Sequence, residues 1–231
     1  MIKLAVFDIA GTTVRDNDEV LFCFSEACRE EGIKASRDRL NALMGVSKLE
    51  VFGMLWREQL GEDSEDIQPL AERSYRRFRT ILENYYHTHN IEPTEGALAA
   101  FEWLHARGVR VALNTGFYRA VTDIILQKLG WHADGNPVDF VVASDEVPKG
   151  RPEPFMIQKA MSAFGLTDPK SVIKIGDTPV DLMEGRRAGC RCSIAVTNGT
   201  HSHDELALLD NDGLIASLLE LPEWLLSRNF L

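Results

Sequence analysis

The hydrophobic positions of the chain form short runs, each of which ends in a polar or glycine-containing turn. Such runs occupy residues 2–7, 109–113, 140–143, 172–175 and 191–196. A short apolar run that enters a polar turn is typical of a buried parallel strand at its carboxyl end. Segments with helical periodicity lie between the runs, at about 95–107, 118–129, 152–164 and 180–188. This alternation predicts an α/β fold, an open parallel sheet with helices on both faces.

The stretch from 17 to 91 interrupts the alternation because it contains no clear strand. Val20, Phe24 and Cys28 fit one face of a helix that Gly32 would end. A second long helix is expected to begin near Pro69, which suits a first helical turn. We therefore predict a core domain made of residues 1–16 and 92–231, with an all-helical domain of residues 17–91 inserted after the first strand.

The composition and net charge of the chain disfavour several classes of function. The 231 residues are 45% hydrophobic and 26% charged, which is typical of a folded globular protein, and the net charge of −10 disfavours nucleic acid and anionic membranes as partners. No apolar run approaches the roughly 20 residues of a membrane span, the first residues do not resemble a signal peptide, and four cysteines do not suggest a disulfide framework. We expect a cytoplasmic protein with a small-molecule partner, and we leave a homodimer open.

Acidic residues follow two of the predicted strands. Asp8 ends the first run, and Asp177 and Asp181 follow the run at 172–175. Taken alone, Asp8 would be interpreted as a turn or helix-capping residue. Ligands of open parallel sheets bind beyond the carboxyl ends of the strands, however, and three carboxylates gathered there would repel one another without a cation. Oxygen-rich groups of this kind suit Mg²⁺, so we predict a magnesium site.

Two further polar groups follow other strands. Thr115 supplies a hydroxyl beside Gly116, where the backbone can approach a ligand closely. Arg151, in the segment Lys-Gly-Arg-Pro-Glu-Pro at 149–154, brings a cation to the start of a helix. Each would alone be an ordinary turn residue, but together with the acidic residues they can bind a phosphoryl group.

Taken in order, these clusters resemble the four motifs of the haloacid dehalogenase superfamily of hydrolases along nearly the whole chain. Residues 8–13, Asp-Ile-Ala-Gly-Thr-Thr, resemble the nucleophile motif, and residues 176–181 resemble the acidic fourth motif. Thr115 and Arg151 occupy the second and third motifs. The resemblance implies a Rossmann-like core with a helical cap.

The same resemblance implies roles for the acidic residues. Asp8 would be the nucleophile and would form an aspartyl-phosphate. Mg²⁺ would be held by Asp8, the Ala10 carbonyl and Asp177, with Asp181 in the same acidic motif. Phosphatases of the superfamily carry a second Asp two residues after the nucleophile, where this chain has Ala10. A methyl group cannot supply general acid–base catalysis, which is typically worth about 10²–10⁴-fold, so the leaving group needs no such acid, another residue supplies it, or the protein is a poor enzyme.

Ala10 is shared with the phosphonatase branch of the superfamily. The segment at 8–14 and the lysine that follows a Met-Gly pair, Lys48 after Met44, are similar to that branch. The resemblance implies that the Lys48 amine condenses with a substrate aldehyde, and it places four residues at the substrate: Thr12, Met44, Gly116 and Phe117.

The local sequence gives independent support for Lys48. Residues 47–50, Ser-Lys-Leu-Glu, form a capping-box pattern that predicts Lys48 in the first turn of a helix. The positive end of the helix dipole disfavours an ammonium group there, as a Schiff-base lysine requires. The alternative is a solvent-facing lysine in an ordinary capped helix.

The chain also departs from the phosphonatase pattern. Val51 stands where the pattern has His, Phe117 where it has Tyr, and a polar stretch around Asp18 where it has Cys. Our leading hypothesis is an Mg²⁺-dependent hydrolase of a small phosphonate or phosphorylated carbonyl compound such as phosphonoacetaldehyde. One alternative is a phosphatase of a small phosphate monoester, either with an acidic leaving group or with another proton donor such as Lys149 or a residue of the helical domain. The other is a non-catalytic module that binds a phosphorylated ligand.

Overall fold

The computed structural model describes residues 1–133 and 136–230. Its eight strands, all in parallel pairs, are β1 (Leu4–Phe7), β2 (Arg110–Thr115), β3 (His132–Ala133), β4 (Pro137–Val138), β5 (Phe140–Ala143), β6 (Val172–Gly176), β7 (Cys192–Val196) and β8 (Gly213–Ile215). Six of them form one sheet in the order β5-β2-β1-β6-β7-β8, while β3 pairs with β4. Phe7 of β1 lies opposite Leu113 and Ile175, so the central strands end level with one another.

The ten helices of the described residues are α1 (Glu19–Glu31), α2 (Arg37–Asn41), α3 (Lys48–Leu60), α4 (Ile67–Thr88), α5 (Ala97–His105), α6 (Arg119–Leu129), α7 (Phe155–Ala163), α8 (Pro179–Ala188), α9 (His203–Ala207) and α10 (Leu221–Ser227). Alternate residues of β1 face opposite sides of the sheet. On one side Phe7 meets Phe101 of α5 at 5.2 Å between ring centroids, and on the other Val6 belongs to the same apolar cluster as Ile157 of α7. The predicted fold class, a parallel sheet covered by helices, is confirmed.

Helices α1 to α4 all lie between β1 and α5 in the chain. Their shared apolar centre includes Phe24, Phe52 and Phe78, whose ring centroids are 5.3 to 6.1 Å apart. Gly32 ends α1 with φ of 77°, a left-handed conformation that glycine adopts without a steric penalty. This agrees with the helix end that the sequence predicts.

One local prediction is wrong. Helix α3 does begin at Lys48, but within the described structure the Ser47 side chain accepts no capping hydrogen bond. Ser47 and Glu50 instead line a surface groove together with Gly150. Packing against a distant loop therefore takes the place of the local capping box.

The sequence analysis also missed β3, β4 and β8, which have only two or three residues each. The strand at 2–7 begins two residues later than predicted. Among the helices that the structure describes, none has both the length and the apolar character needed to cross a membrane.

Candidate active site

Three buried carboxylates meet at the carboxyl end of the sheet. Asp8 follows β1, Asp177 follows β6, and Asp181 lies in the first turn of α8. One oxygen from each lies within 4.8 Å of the others. The structure therefore brings together the three acidic residues that the sequence predicts as a cluster.

Asp8 has an incomplete set of partners. Its Oδ1 lies 3.0 Å from Nη1 of Arg151, yet within the described part of the chain this buried oxygen accepts no hydrogen bond of good geometry. Burial raises the pKa of Asp8 from 3.8 to about 7, and the positive charge of Arg151 only partly opposes this shift. An orphaned carboxylate oxygen in an acidic cluster fits the ligand set of a divalent cation.

Asp177 is held by the loops around it. The Thr12 hydroxyl donates to its Oδ1 at 2.8 Å, and the backbone N–H of Thr200 donates to its Oδ2 at 2.7 Å. Gly11, with φ of +81°, makes room for this carboxylate, because a Cβ there would lie 2.2 Å from Oδ2. Thr12 therefore contacts Asp177 and does not line the cavity in which we expected it to meet substrate.

Asp181 is surrounded by cations and donors. Arg151 forms an ion pair with it, Nζ of Lys174 lies 3.0 Å away, and the Thr178 hydroxyl donates to it at 2.6 Å. Burial alone would raise the pKa of Asp181, but Arg151 and Lys174 hold it at about 2. Asp181 is thus ionised, and it orients Arg151 toward Asp8.

A buried polar network that the sequence did not indicate lies behind Asp181. Lys174 of β6 is fully buried, and its Nζ donates to the side-chain oxygen of Asn114 at 2.6 Å. Glu184 of α8 lies 3.4 Å from the same Nζ and accepts from the Asn114 amide at 2.8 Å. This network supports the position of Asp181 from beneath the sheet end.

A small cavity opens above Asp8. Most of the predicted site residues line it, namely Asp8, Ala10, Met44, Lys48, Thr115, Gly116, Phe117 and Arg151. The close approach at Gly116 depends on the missing side chain, because a Cβ would lie 2.7 Å from the carbonyl oxygen of Gly45.

Lys48 lies on the side of this cavity formed by α3. Its side chain is almost fully buried, with Nζ 3.4 Å from the carbonyl oxygens of Leu43 and Val46 and 5.1 Å from the ring centroid of Phe24. Among the described residues, no carboxylate lies within ion-pair distance of the amine. Burial, and then the positive charge of Arg151, lower the pKa of Lys48 from 10.5 to about 8. At pH 7, one unit below this pKa, about a tenth of the amine is therefore neutral.

Asp16 also lines the cavity, and the sequence analysis missed it. Its Oδ1 accepts a hydrogen bond of 3.2 Å from the backbone N–H of Val20 at the start of α1. Its short polar surroundings, Arg-Asp-Asn-Asp at 15–18, carry no sequence signal for burial.

The positions that depart from the phosphonatase pattern lie in different surroundings. Val51 is fully buried in the apolar centre around α3, Phe117 lines the cavity, and Asp18 is exposed and paired with Arg37 at 2.5 Å. Lys149, the alternative proton donor, is exposed beside Glu153 and does not line the cavity.

The amino-acid sequence of the chain matches a known protein family and is similar to named enzymes. Residues 5–196 match the family model described as haloacid dehalogenase-like hydrolase. A phosphonoacetaldehyde hydrolase from Latilactobacillus sakei is 29% identical to the chain, over 96% of this chain and 82% of that protein. A phosphonoacetaldehyde hydrolase from Bacillus cereus is 31% identical, over 81% of this chain and 73% of that protein.

Solved structures share the fold. A phosphonoacetaldehyde hydrolase-like protein from Oleispira antarctica superposes with a TM-score of 0.79 at 20% identity, covering 99% of this chain and 94% of that one. A predicted phosphoglycolate phosphatase from Haemophilus somnus gives a TM-score of 0.74 at 20% identity, covering 96% and 97%. At these identities the likeness establishes the fold alone.

Proposed function

Because the chain belongs to the haloacid dehalogenase-like hydrolase family, we propose that it is an Mg²⁺-dependent hydrolase of the phosphonatase type. Its substrate would be a small phosphonate or phosphorylated carbonyl compound, and phosphonoacetaldehyde is the first candidate because two relatives carry that activity in their names. The proposed core comprises 1–16 and 92–231, and the helices between them, residues 17–91, would form a cap over the site.

One observation carries the proposal. The Lys48 amine and the Asp8 carboxylate line the same small cavity, and the amine is buried without a carboxylate partner among the described residues. A substrate whose carbonyl carbon is one carbon away from its phosphorus could therefore meet a nitrogen nucleophile at one end and an oxygen nucleophile at the other.

At the phosphorus end, Asp8 would attack to give an aspartyl-phosphate. Arg151, held by Asp181, would bind a phosphoryl oxygen, and the Thr115 hydroxyl would bind another. Asp8, Asp177 and the Ala10 carbonyl would hold Mg²⁺, with Asp181 close by in the same cluster. The cation would neutralise charge on the phosphoryl oxygens and favour the ionised form of Asp8.

At the carbonyl end, the neutral Lys48 amine would add to the carbonyl carbon and form an iminium ion with loss of water. The electron pair of the C–P bond would then move into the iminium as phosphorus passes to Asp8, so that the carbon group leaves as an enamine. Water would hydrolyse both covalent adducts. Met44, Gly116 and Phe117 line the cavity and would contact the substrate.

Trapping by borohydride tests this proposal. With phosphonoacetaldehyde, Mg²⁺ and borohydride, we expect Lys48 to carry the reduced adduct, located by mass spectrometry of peptides. Lys48→Ala should lose both the label and turnover, while Lys34→Ala, at an exposed lysine, should keep both. Unchanged turnover by Lys48→Ala, or a wild-type protein that is not labelled, would remove the Schiff base from the proposal.

A phosphatase acting on a small phosphate monoester is the second candidate. It is favoured by Val51 and Phe117, which lack the ionisable ring and hydroxyl of the phosphonatase pattern at these positions. Turnover of simple sugar or nucleotide phosphates that does not depend on Lys48 would support it. Binding of fluoroberyllate without any turnover of phosphonates or esters would instead indicate a module that only binds phosphorylated ligands.

A further inference from the structure

The proposed condensation needs a proton source that the expected positions do not provide. Formation of an iminium from a neutral amine and a carbonyl consumes one proton, because the carbonyl oxygen must leave as water. Ala10 carries a methyl group, and Val51 is an apolar residue buried in the centre of the helical region. The acid must therefore come from another residue of the cavity.

Asp16 is placed for that task. It lines the cavity together with Lys48 and Asp8. The half-buried carboxyl accepts from the backbone N–H of Val20 through Oδ1 and shares a side-chain hydrogen bond with Glu19, and these two contacts fix it at the start of α1. Val20 lines the same cavity, so the carboxyl is attached to its wall.

We propose that Asp16 is a further catalytic residue, the acid that protonates the departing oxygen when Lys48 condenses with the substrate carbonyl. This inference rests on the proposed function. The nitrogen lone pair of Lys48 forms the C–N bond, and the C–O bond breaks with its electron pair on oxygen. Three protons take part, two from the amine and one from Asp16. Two of them leave with the oxygen as water, and one stays on the iminium nitrogen. Asp16 becomes a carboxylate, which balances the new positive charge.

The surroundings of Asp16 keep its proton available. Burial, followed by a side-chain hydrogen bond with Glu19, raises the pKa of Asp16 from 3.8 to about 8. Asp16 also interacts electrostatically with other ionisable groups, namely Cys23, Lys48, Tyr85, Tyr86 and Asp177. Of these only Lys48 brings a positive charge at neutral pH, and burial and the hydrogen bond with Glu19 outweigh it, so Asp16 stays largely protonated.

The rate of borohydride trapping measures this step. Asp16→Asn preserves the oxygen that accepts from Val20 and removes only the acidic proton. We expect it to trap phosphonoacetaldehyde on Lys48 about a hundredfold more slowly than the wild type, within the range for loss of a general acid. Asp63→Asn, the same change at an exposed residue, should trap at the wild-type rate.

The pH dependence separates an acid from a merely structural residue. In the wild type the trapping rate should rise as Lys48 loses its proton and fall again above about pH 8 as Asp16 ionises. Asp16→Asn should lack the falling limb. If that variant does not fold, a wild-type rate that fails to fall at high pH overturns the assignment on its own.

The remaining outcomes distinguish the two proposals. A wild-type protein that is never labelled on Lys48 overturns the proposed Schiff-base function and the role of Asp16 with it. Labelling of Lys48 in the wild type, with a rate in Asp16→Asn within twofold of it, overturns only the role of Asp16.

Discussion

Asp8 occupies a position where its negative charge destabilises the folded chain. Burial raises its pKa from 3.8 to about 7, so between these values the folded state keeps a proton that the unfolded chain has lost. Stability that depends on Asp8 therefore falls as pH rises from about 4 to 7. Asp8→Asn should lose activity in Mg²⁺. In EDTA at pH 7 it should gain roughly 1–3 kcal/mol in the free energy of unfolding, measured with urea.

The pH dependence of this gain is the sharper part of the prediction. Near pH 4 the difference between Asp8→Asn and the wild type should largely vanish, because the folded carboxyl is then protonated and the unfolded one, with a pKa of 3.8, is only about half ionised. Asp63→Asn, which removes a carboxyl from an exposed position, serves as the matched control. A stability difference that is equal at pH 4 and pH 7 would contradict the assigned cause.

Lys174, unlike Asp8, stabilises the folded chain, because its positive charge neutralises buried carboxylates. Its Nζ lies 3.0 Å from Asp181 and 3.4 Å from Glu184, and all three side chains are buried. Lys174→Met should cost about 3–5 kcal/mol in the free energy of unfolding, since it leaves buried acids without their cation.

The double variant Lys174→Met/Glu184→Gln tests this explanation in the same urea experiment. Gln keeps an oxygen that can accept from Asn114 while removing one of the stranded charges. The double variant should therefore be more stable than Lys174→Met alone. If the change in the free energy of unfolding of the double variant equals the sum of the changes in the two single variants, the two side chains do not interact.

Neither Lys174 nor Asp16 could be identified from the sequence. Lys174 is a single polar residue inside an apolar run, and its partner Asn114 lies 60 residues away. Asp16 stands in a polar stretch that is typical of an exposed hinge, and its burial depends on side chains from other segments. Asp8, Thr115, Asp177 and Asp181, by contrast, follow runs that are mainly apolar, so the strand pattern predicted that they would converge.

The same contrast holds for whole elements. The central strands could be predicted because each is a mainly apolar run next to a polar turn. β8 could not, since it has three residues and begins at Gly213, where the ring of Trp224 packs so closely that a Cβ would lie 2.4 Å from it. The start of α3 at Lys48 was predicted correctly from a capping box that does not form, because Ser47 packs against a distant loop.

The loop that leads into α3 touches the core at Gly45. This residue has φ of +80°, and a Cβ there would lie 2.5 Å from Val180 and 2.6 Å from the hydroxyl of Thr178. Gly45→Ala should therefore push Lys48 and Met44 away from Asp8, and we expect kcat/KM to fall at least about tenfold, the effect of 1.4 kcal/mol on a transition state.

Gly32→Ala is the matched control for backbone strain. Gly32 has φ of +77° with no atom within 4 Å of an added Cβ, so it shares the conformational cost of about 1–2 kcal/mol without the steric contact. Its kcat/KM should stay near the wild-type value. Equal losses in the two variants would mean that strain, and not the contact between loop and core, sets the activity.

At the scale of the whole molecule, the acidic cluster joins the two central strands of the sheet. Asp8 follows β1 and Asp177 follows β6, which pair with each other, and burial and the neighbouring Asp181 raise the pKa of Asp177. A cation bound there would relieve this repulsion in the folded state only. Mg²⁺ at a hundred times its dissociation constant should therefore add about 2.7 kcal/mol to the free energy of unfolding of the entire chain.

Urea unfolding with and without Mg²⁺, at pH 7, measures this linkage. Asp177→Asn should lose most of the added stability, because it removes a charged ligand while keeping one oxygen, which can accept from either Thr12 or Thr200. Asp204→Asn, at an exposed residue, should keep it. An Asp177→Asn variant that Mg²⁺ stabilises as strongly as the wild type would place the cation elsewhere, and the chemistry proposed for Asp8 would then lack its counter-charge.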